Sequence, residues 1–480
     1  MIFKRFYDDN LAQASYLIAS ERTREAIVVD PNADIGIYTR AAGADRLRIA
    51  HVTETHIHAD FLSGARELAE ATGATLHLSG EGGEFGYTSQ ALRGAKALRN
   101  GSHIDIGDLR ITARHTPGHT PEHLAFLVSD LARGEEPVGA LTGDFIFVGD
   151  VGRPDLLEKA AGVSGTMENS ARQLFKSIAR FKEMPDHLQL WPGHGAGSAC
   201  GKSLGAMPQS TLGYEKLFNW ALAEMPEDVF VEKVLEDQPV PPRYFATMKR
   251  LNRTMEKPPK GRQPKRLTFA DLETALAQKH VVVDTRADEK FAAGHIPGTL
   301  NIPLGKSFLN WTGALVHADR NLYLIIESES DDAIGTVLGD LCKIGMMNVA
   351  GYFGSDVVHE WQSHHGEVEQ VAQMDVTALK SKKNGDVQII DVRSPEEWSH
   401  GHLPGAQHIP LAALPDRLNE IDPSRPVVVQ CRGGGRSAIA SSLLMARGIT
   451  NVSNLNGGYD EWVAQRLPTE TVSRPENAKR

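Results

Sequence analysis

Cysteine is scarce in this chain. Three cysteines among 480 residues are too few, and odd in number, for a disulfide framework. The count predicts a reducing compartment, and we expect a cytoplasmic protein. Each thiol is then available for chemistry rather than for cross-linking.

Long apolar runs and an excess of positive charge are also missing. No apolar run reaches the roughly 18 residues that a membrane-spanning helix requires, and residues 1–10 lack the apolar core of a secretion signal. The formal net charge of -10 offers no basic surface for nucleic acid. We therefore expect neither a membrane nor a nucleic acid as a partner.

The remaining composition is that of a globular protein, with 41% hydrophobic and 23% charged residues. A chain of 480 residues is too long for one ordinary core, so the length predicts two to four domains.

The second half of the chain contains an internal duplication. An Asp-x-Arg pair, a Gly-His-Ile/Leu-Pro-Gly turn and a Pro-Leu pair occur twice in the same order. The matching positions are 107 residues apart in every case: Asp284 and Asp391, His295 and His402, Leu304 and Leu411. Each copy reads as a buried strand, a helix start, a turn and a second buried strand. This alternation predicts a parallel sheet flanked by helices, and the motifs resemble those of rhodanese domains.

A glycine-rich loop begins at Cys431 in the second copy. The sequence Cys-Arg-Gly-Gly-Gly-Arg-Ser follows the predicted strand at 427–430 and precedes a predicted helix at 438–447. Inward backbone N–H groups and a helix N-terminus favour a thiolate or a persulfide anion. The loop resembles the Cys-x-x-Gly-x-Arg-Ser loop of rhodaneses, so we expect Cys431 to be catalytic. The expected substrate-binding residues are Arg432, Gly433, Gly434, Gly435 and Arg436.

The first copy departs from this pattern at the same place. Glu327 stands where Cys431 stands, and the residues after it are acidic instead of glycine-rich and basic. Such a loop has no thiolate and repels sulfite or a persulfide. We expect this copy to be inactive and to act as a spacer, a dimerisation surface or a docking face, which favours a homo-oligomer.

Histidines and aspartates of the first half recur just after apolar runs. They are His56, His58 and Asp60 in His-x-His-x-Asp, His119 in Thr-Pro-Gly-His-Thr, Asp144 in Thr-Gly-Asp, and His194 in Trp-Pro-Gly-His. Loops that leave strands at one edge of a sheet sandwich converge, so the set predicts a metal site. Two imidazoles and a carboxylate with open positions opposite are typical of non-haem iron(II) oxygenases.

Residues 1 to about 255 resemble the persulfide dioxygenases, the sulfur dioxygenases of ethylmalonic-encephalopathy type, which have a metallo-β-lactamase fold. The resemblance implies one Fe²⁺ per chain, held by His56, His119 and Asp144. It also implies that His58, Asp60 and His194 orient those ligands or hold waters. Dinuclear zinc hydrolases of this fold carry a histidine where Phe61 stands, so Phe61 favours a single metal ion.

Two further residues have open interpretations. Arg153, in the Gly-Asp-Val-Gly-Arg-Pro-Asp stretch that matches this family, is expected to bind a substrate carboxylate or persulfide anion. The alternative is an ion pair with Asp155. Cys200 follows the His194 motif in a glycine-rich loop. It is either a catalytic persulfide relay between the iron and Cys431, or a small residue that fills a bend.

These features predict a multidomain α/β chain. An αββα metallo-β-lactamase sandwich is followed by two α/β rhodanese domains with parallel sheets. The expected boundaries are a dioxygenase domain at 1–256, a basic, Pro-rich linker at 257–266, an inactive rhodanese-like domain at 267–366 and an active rhodanese domain at 367–480.

The expected function is iron(II)-dependent oxidation of a thiol persulfide by O2 to sulfite and thiol. Cys431 would couple this reaction to the formation or consumption of thiosulfate. The thiol carrier is of the glutathione, bacillithiol or coenzyme A type. One alternative is a zinc thioester hydrolase of glyoxalase II type with accessory rhodanese domains. The other is a non-catalytic sulfur carrier or persulfide sensor with a structural metal.

Overall fold

The computed structural model describes residues 1–202, 204–256, 264–382 and 385–471. They form two compact units. The first falls within Met1–Lys260 and Gly339–Met346, and the second within Gly261–Leu338 and Met347–Arg480.

Two six-stranded sheets form the centre of the first unit. The first sheet runs in the order β1 (Ile2–Asp8), β2 (Gln13–Ala19), β3 (Glu25–Val29), β4 (Arg48–Thr53), β5 (Thr75–Ser79) and β6 (Lys96–Leu98). The second sheet consists of β7 (His103–Ile106), β8 (Leu109–His115), β9 (Leu124–Asp130), β10 (Pro137–Gly143), β11 (Gln189–Pro192) and β12 (Ser210–Thr211), paired in that order.

The two sheets pack face to face over a shared apolar core. Tyr16 and Ile27 from the first sheet, with Ile111 and Phe126 from the second, are buried there. Alternation of buried and partly exposed residues along β8 fits a strand with one face in this core. Each fully buried side chain of this size stabilises the fold by about 1.5–3 kcal/mol.

Helices cover both outer faces of the sandwich. They are α1 (Gly36–Ala44), α2 (Ala65–Thr72), α3 (Ser89–Leu92), α4 (Leu156–Lys159), α5 (Met167–Phe181), α6 (Leu212–Phe218), α7 (Glu227–Leu235) and α8 (Tyr244–Thr254), with 3₁₀ turns at Gly83–Phe85 and Trp220–Leu222. Apolar residues of α1 and α2 pack on the first sheet, and those of α5 and α7 pack on the second. This arrangement confirms the predicted αββα sandwich.

The sequence at 214–236 predicts one polar helical segment, and the structure shows that this segment is interrupted. Helix α6 ends at Phe218, the Asn219 side chain accepts a hydrogen bond from Ala221 N–H, and α7 begins only after Pro226. Proline lacks the N–H that an uninterrupted helix needs, so it starts a new helix here.

The second unit contains two five-stranded parallel sheets with the same strand order. The first sheet has the order β13 (Lys265–Arg266), β17 (Val349–Gly354), β16 (Leu322–Ile326), β14 (Val281–Asp284), β15 (Leu300–Asn301). The second has the order β18 (Ala372–Met374), β22 (Val452–Leu455), β21 (Val427–Gln430), β19 (Gln388–Asp391), β20 (Gln407–His408). The two predicted rhodanese sheets are thereby confirmed.

Helices flank both sheets of the second unit. Those of the first copy are α9 (Phe269–Ala277), α10 (Asp288–Ala293), α11 (Phe308–Leu315), α12 (Asp331–Lys343) and α13 (Val357–His365). Those of the second are α14 (Val376–Lys380), α15 (Pro395–His400), α16 (Gly435–Ala446) and α17 (Gly458–Ala464), with 3₁₀ turns at Leu411–Asp416 and Leu418–Glu420. Within the described ranges, no helix of the chain is long and apolar enough to cross a membrane.

The segment assigned to the linker is only partly described. Residues 257–263 lie outside the described residues, whereas Lys265–Arg266 form β13 and pair with Gly351 and Tyr352. The first rhodanese sheet therefore begins inside the segment assigned to the linker.

The duplicated Asp-x-Arg motif forms the same buried clamp in both copies. The Arg286 guanidinium donates to the Asp284 carboxylate at 2.6–3.0 Å and to the carbonyl of Gly294. Arg393 repeats each of these contacts with Asp391 and the Gly401 carbonyl. The motif therefore joins the end of a strand to the turn that follows the next helix, and its role is structural.

Candidate metal centre and thiol loop

Four loops bring polar side chains to one edge of the sandwich. His56 follows β4, His119 follows β8, Asp144 follows β10 and His194 follows β11. All four side chains are buried. The four side chains therefore meet at one edge of the sandwich, as the sequence motifs predict.

His56, His119 and Asp144, called the ligand triad below, form a compact cluster. Asp144 Oδ2 lies 3.8 Å from His56 Nε2 and 3.4 Å from His119 Nε2. One ligand atom from each residue lies within 4.8 Å of the other two. His56 Nε2 and Asp144 Oδ2 are buried without a hydrogen-bond partner. Such atoms cost about 1–3 kcal/mol each when left unpaired, and a metal ion between them would satisfy both. The triad therefore fits a metal ion.

Neighbouring groups orient the triad. His119 Nδ1 lies 2.9 Å from the carbonyl of Arg153 and donates to it, which leaves Nε2 as the free ligand atom. His56 Nδ1 lies 2.9 Å from Thr55 Oγ1. Burial lowers the pKa of both His56 and His119, so both rings are neutral, as metal ligands must be.

His194 holds the third ligand in place. Its Nδ1 lies 2.7 Å from Asp144 Oδ1, and its Nε2 lies 2.6 Å from Asp60 Oδ2. Burial opposes the charged ring, but the two carboxylates outweigh burial and raise the pKa of His194 to about 10. Burial likewise opposes ionisation of Asp144, and the charge of His194 outweighs it and lowers the pKa of that carboxyl. His194 is thus a charged clamp between two aspartates.

His58 points away from the triad. Its Nε2 lies 2.7 Å from Glu54 Oε2 and 3.1 Å from Asp30 Oδ1. Burial opposes the charged ring, but the two carboxylates outweigh it and raise the pKa of His58 well above its usual value. A charged imidazolium has no lone pair for a metal ion. Its ring packs against the rings of His56, at 4.2 Å, and Phe61, at 4.3 Å, so it acts on the triad by packing.

Cys200 lies beside the clamp. Ligand atoms of Cys200, Asp60 and His194 all lie within 4.8 Å of one another. The thiol is 1% exposed. Burial, together with the charges of Asp60 and Asp144, raises the pKa of Cys200 well above its usual value. The structure brings Cys200 to the metal centre as expected, but as a buried, protonated thiol that is not poised to leave its site as a relay.

Arg153 does not face the site. Its side chain is fully buried, and its guanidinium makes two hydrogen bonds to Asp155, at 2.7 and 2.8 Å, and one each to the carbonyls of Ala199 and Pro239. No substrate can reach a guanidinium that is fully enclosed and already bonded in this way. The expectation of substrate binding is therefore corrected in favour of the alternative, the ion pair with Asp155.

Two residues at the centre escaped the sequence analysis. His123 is buried, stacks on His56 at 5.1 Å between ring centroids, and its Nε2 accepts a hydrogen bond from Asp144 N–H at 3.2 Å. His123 lies four positions after His119 and directly before an apolar strand. In the sequence it therefore resembles an ordinary polar residue at the start of a strand. A Cβ at Gly152 would lie 1.8 Å from the Asp144 carbonyl oxygen, so only glycine permits this close approach.

The thiol loop, residues 431–437, begins the long helix of the last domain. Cys431 is 2% exposed. Its sulfur accepts hydrogen bonds from Gly434 N–H, at 3.1 Å, and Ser437 Oγ–H, at 3.4 Å. Gly434 adopts a left-handed φ of 111° at the start of α16, which turns the N–H groups of the loop inward. The expected cradle of backbone donors around the sulfur is present at Gly434.

Acidic side chains balance both arginines of this loop. Arg436 donates from two nitrogens to Glu397, at 2.6 and 2.7 Å, and Arg432 donates to Asp460 at 3.1 Å. Arg432 is largely exposed, whereas Arg436 is mostly buried. The sequence analysis missed both acids because they lie on other elements, α15 and α17.

A second glycine turn supports the loop from behind. Gly458 has φ of 54°, and a Cβ there would lie 2.2 Å from the Cys431 carbonyl oxygen. Tyr459 N–H donates to that same carbonyl at 2.8 Å, and Asp460 N–H donates to the carbonyl of Arg432 at 3.0 Å. The turn before α17 thus fixes the backbone of the thiol loop.

The first copy has no thiol at the corresponding position. Glu327 follows β16, and its carboxylate pairs with Lys290 at 2.5 Å. A pocket of about 340 Å³ lies beside it, with Leu304, Ile326 and Val337 in its wall. Glu327 supplies no thiolate for sulfur transfer, and the inactivity of the first copy stays a prediction.

Comparison with known proteins agrees with this architecture. Residues 8–194 match the Metallo-beta-lactamase superfamily, and residues 268–353 and 375–465 each match the Rhodanese-like domain. A crystal structure of a metallo-beta-lactamase from Staphylococcus aureus is 42% identical. The match covers 74% of this chain and 98% of that one, with a TM-score of 0.65.

Shorter relatives match parts of the chain. A sulfurtransferase of Allochromatium vinosum is 41% identical over 83 residues, which cover 17% of this chain and 78% of the relative. The uncharacterized protein YqhL of Bacillus subtilis is 44% identical over 75 residues, 16% of this chain but only 60% of that protein's length.

A hydrolase is among the relatives too. The probable polyketide biosynthesis zinc-dependent hydrolase BaeB of Bacillus velezensis is 26% identical over 201 residues, 42% of this chain and 80% of the relative. The fold and the ligand triad imply a bound metal ion. The chain belongs to the metallo-β-lactamase superfamily and carries two rhodanese-like domains after that fold.

Proposed function

We propose that this chain oxidises a low-molecular-weight thiol persulfide with O2 and transfers sulfane sulfur through Cys431. A single Fe²⁺ held by the ligand triad would carry the oxidation. The observation that carries the proposal is the arrangement of this triad, in which ligand atoms of two neutral imidazoles and one carboxylate lie within 4.8 Å of one another. Two of these atoms, His56 Nε2 and Asp144 Oδ2, have no hydrogen-bond partner.

A single metal ion is favoured by the residues around the triad. His58 is held as an imidazolium by Glu54 and Asp30, and Phe61 stands in place of an imidazole and is fully buried. His194 is bonded at both nitrogens to aspartates. His58 and His194 are therefore bonded to carboxylates, and Phe61 has no ligand atom, so none of the three is available to a second metal ion.

Iron is favoured over zinc by the donor set. Two imidazoles and a carboxylate on one side, with the other positions open, suit non-haem iron(II). When bound, iron(II) in such a triad supplies open coordination positions and the redox chemistry that activates O2. The balanced reaction is RSSH + O2 + H2O → RSH + SO3²⁻ + 2H⁺, in which the terminal sulfur is oxidised and O2 is reduced.

The residues of the chain supply protons and orientation for this step. His119 is fixed by the Arg153 carbonyl, and Asp144 is fixed by His194 and by its own backbone N–H bond to His123. The imidazolium of His194, shared between Asp60 and Asp144, holds a proton next to the reacting atoms. The polarisable thiol of Cys200 lies close to Asp60. A catalytic role for Cys200 stays a prediction.

The second step takes place at Cys431. Its thiolate attacks the sulfane sulfur of a persulfide and releases RSH, which leaves a cysteine persulfide. Sulfite then attacks the outer sulfur, so that thiosulfate leaves and the Cys431 thiolate returns. The Gly434 N–H and Ser437 O–H groups donate to the sulfur of the free cysteine and would stabilise the thiolate that each cycle regenerates. The reverse direction delivers sulfane sulfur from thiosulfate to the thiol carrier.

Joining the two sites on one chain places the source of sulfite and the cysteine that consumes it in the same molecule. The proposed partners are a persulfide of the glutathione, bacillithiol or coenzyme A type, O2, and sulfite or thiosulfate.

A zinc thioester hydrolase of glyoxalase II type is the second candidate. One observation favours it: Asp60, His194 and Cys200 form a further cluster of donor atoms, in which Asp60 Oδ1 has no partner. If this cluster bound a second ion, the centre would hold two bridged zinc ions. The similarity of the chain to the probable zinc-dependent hydrolase BaeB also supports this candidate.

Metal analysis combined with oxygen uptake separates the candidates. The purified chain is expected to contain one iron per chain and to consume O2 with at least one persulfide from a panel of thiol carriers. Asp144→Ala is expected to lose both iron and oxygen uptake, whereas the exposed Asp186→Asn keeps both. Two zinc ions per chain, with thioester cleavage and no oxygen uptake, would establish the hydrolase. Full oxygen uptake in Asp144→Ala would remove the triad from the reaction.

A further inference from the structure

The stretch that carries the first metal ligand forms neither helix nor strand, so its backbone needs partners from other parts of the fold. Residues 56–63, called the metal loop below, lie between β4 and α2. They include His56 of the ligand triad and Asp60, which pairs with His194. Buried backbone N–H and C=O groups are almost always hydrogen-bonded in native structures. The groups that bind this backbone therefore set where His56 and Asp60 stand.

One side chain of α8 binds the metal loop at three points. Asn252 Nδ2 donates to the carbonyls of His58, at 2.8 Å, and Phe61, at 2.7 Å. Its Oδ1 accepts a hydrogen bond from Ser63 N–H at 3.0 Å. Asn252 is 2% exposed, so these bonds form away from water. Asn252 thereby fixes the backbone of the second half of the metal loop.

The N–H of Leu62, in the same half of the loop, is bound by a helix from much later in the sequence. It donates to the carbonyl of Lys343 at 2.6 Å, and Lys343 is the last residue of α12. This helix follows β16 of the copy that lacks the thiol. Its end, Gly339–Met346, is called the α12 end below and belongs to the same compact unit as the metal centre.

The α12 end offers a carbonyl to the metal loop because of the way the helix stops. Gly345 has a left-handed φ of 72°. The N–H groups of Gly345 and Met346 donate to the carbonyls of Cys342 and Leu341, each at 2.9 Å. This is the Schellman arrangement, in which a left-handed glycine caps the last turn of a helix. Neither bond uses the Lys343 carbonyl, and the metal loop supplies its donor.

The side chain of Lys343 also ties the α12 end to the start of the chain. Its Nζ donates to Asp8 at 2.7 Å and to Asp340 at 2.8 Å, and Asn10 donates to the other Asp340 oxygen at 3.0 Å. The three charged side chains are between 11% and 16% exposed, so salt screens them little. Burial opposes the charge of Lys343, but Asp340 and Asp8 outweigh burial and raise the pKa of Lys343.

Apolar packing holds the same segment. Leu341 and Ile344 are fully buried. A Cβ at Gly345 would lie 2.1 Å from Cε of Met248, which stands on α8 one turn before Asn252. The α12 end therefore lies against the helix that binds the metal loop, and the two supports of the loop contact each other.

We propose that the α12 end is a positioning element of the metal centre. Together with Asn252 it holds the second half of the metal loop, and so sets the place of Asp60, which acts through His194 on Asp144. The copy without a thiol then has a role, because one of its helices completes the support of this loop. The proposal rests on a metal ion at the ligand triad, as the proposed function does, but neither on which ion is bound nor on the reaction.

Metal release from the full-length chain tests this role. Lys343→Met keeps the length of the side chain but removes the charge that binds Asp8 and Asp340. The proteins are loaded with Fe²⁺ without oxygen and, in parallel, with Zn²⁺, and transfer of the ion to excess chelator is followed. Lys343→Met is expected to release the ion at least tenfold faster than wild type, and Lys343→Arg within twofold of wild type. Lys182→Met, in a surface pair with Glu224 at the end of α5, is the control and should keep the wild-type rate.

Hydrogen exchange separates positioning from a general loss of stability. In Lys343→Met the amide of Leu62 is expected to exchange at least tenfold faster than in wild type, whereas the amides of β9, in the core of the sandwich, keep their rates. Made on the metal-free protein, this measurement stands whether or not the chain oxidises persulfides. Unchanged metal release or unchanged exchange at Leu62 would overturn the proposal. Faster exchange that extends equally to β9 would also overturn it, because the whole unit would then have lost stability.

Discussion

His58 Nε2 lies 2.7 Å from Glu54 Oε2, and this contact takes His58 out of the metal centre. The motif His-x-His-x-Asp offers two imidazoles, but only His56 turns its free nitrogen to Asp144. The second imidazole, that of His58, cannot bind a metal ion because the buried Glu54 carboxylate, two residues before the motif, keeps the ring protonated. The same motif can therefore serve one metal ion or two, depending on the residues that surround it.

Replacement of Phe61 by histidine should restore a second metal position. The new imidazole would join Asp60 and His194, which lie close together next to Cys200. We expect Phe61→His, after equilibration with Zn²⁺, to hold one more zinc at the centre than wild type and to lose at least tenfold in oxygen uptake. Phe61→Leu is the control and should keep wild-type metal content. Identical metal content in Phe61→His and Phe61→Leu would show that Phe61 does not set the metal number.

Removal of the Cys431 thiol should separate the two reactions. We expect Cys431→Ser to consume O2 at the wild-type rate but to accumulate sulfite, whereas wild type forms thiosulfate. The measurement is the ratio of sulfite to thiosulfate at equal oxygen consumption. Cys342→Ser, at a partly buried thiol far along the chain from either motif, is the control. Equal product ratios in wild type and Cys431→Ser would refute the coupled scheme.

The ion pair between Glu397 and Arg436 should make the last domain sensitive to acid. Burial alone would raise the pKa of Glu397, but the Arg436 guanidinium outweighs it and lowers that pKa to about 2. The stabilisation is therefore complete above the unfolded value near pH 4.5, and is lost as the pH falls toward 2. We expect Glu397→Gln to cost roughly 1–3 kcal/mol in free energy of unfolding at pH 7 and much less at pH 3.

Denaturant melts of the two proteins at both pH values measure this difference. The exposed pair of Arg417 and Glu420 supplies the control, because such pairs contribute about 1 kcal/mol or less. Glu420→Gln should therefore change the stability little at either pH. A cost of Glu397→Gln that is the same at pH 7 and pH 3 would contradict the proposed linkage.

Loss of Arg153 should lower the free energy of unfolding and leave the binding of persulfide unchanged. Its guanidinium neutralises the buried Asp155, and breaking a buried pair on one side costs about 3–5 kcal/mol. We expect Arg153→Met to unfold at lower denaturant concentration, with an unchanged KM for persulfide in the fraction that stays folded. Arg153→Met combined with Asp155→Leu should recover part of the stability. A large rise in KM with unchanged stability would show that Arg153 binds the substrate.

Much of the fold could be predicted from local patterns. The duplicated Asp-x-Arg and Gly-His motifs predict two equal domains because each motif fixes a strand end and a turn, and the clamps of Arg286 and Arg393 are the same in both. The polar helical segment predicted at 214–236 is broken by Pro226. Its effect depends on a backbone N–H that proline lacks.

The sequence by itself determined which residues are offered to chemistry: the histidines and aspartates at strand ends, the thiol of Cys431, and the glutamate that replaces it in the first copy. These follow from residue type and order, because strand ends at one edge of a sheet must meet. Only the tertiary structure decided how each is used. The bonds of His58 to Glu54, of Arg153 to Asp155 and of Arg436 to Glu397 set charge and direction, and in a dry interior a single neighbouring charge outweighs what the residue type alone would imply.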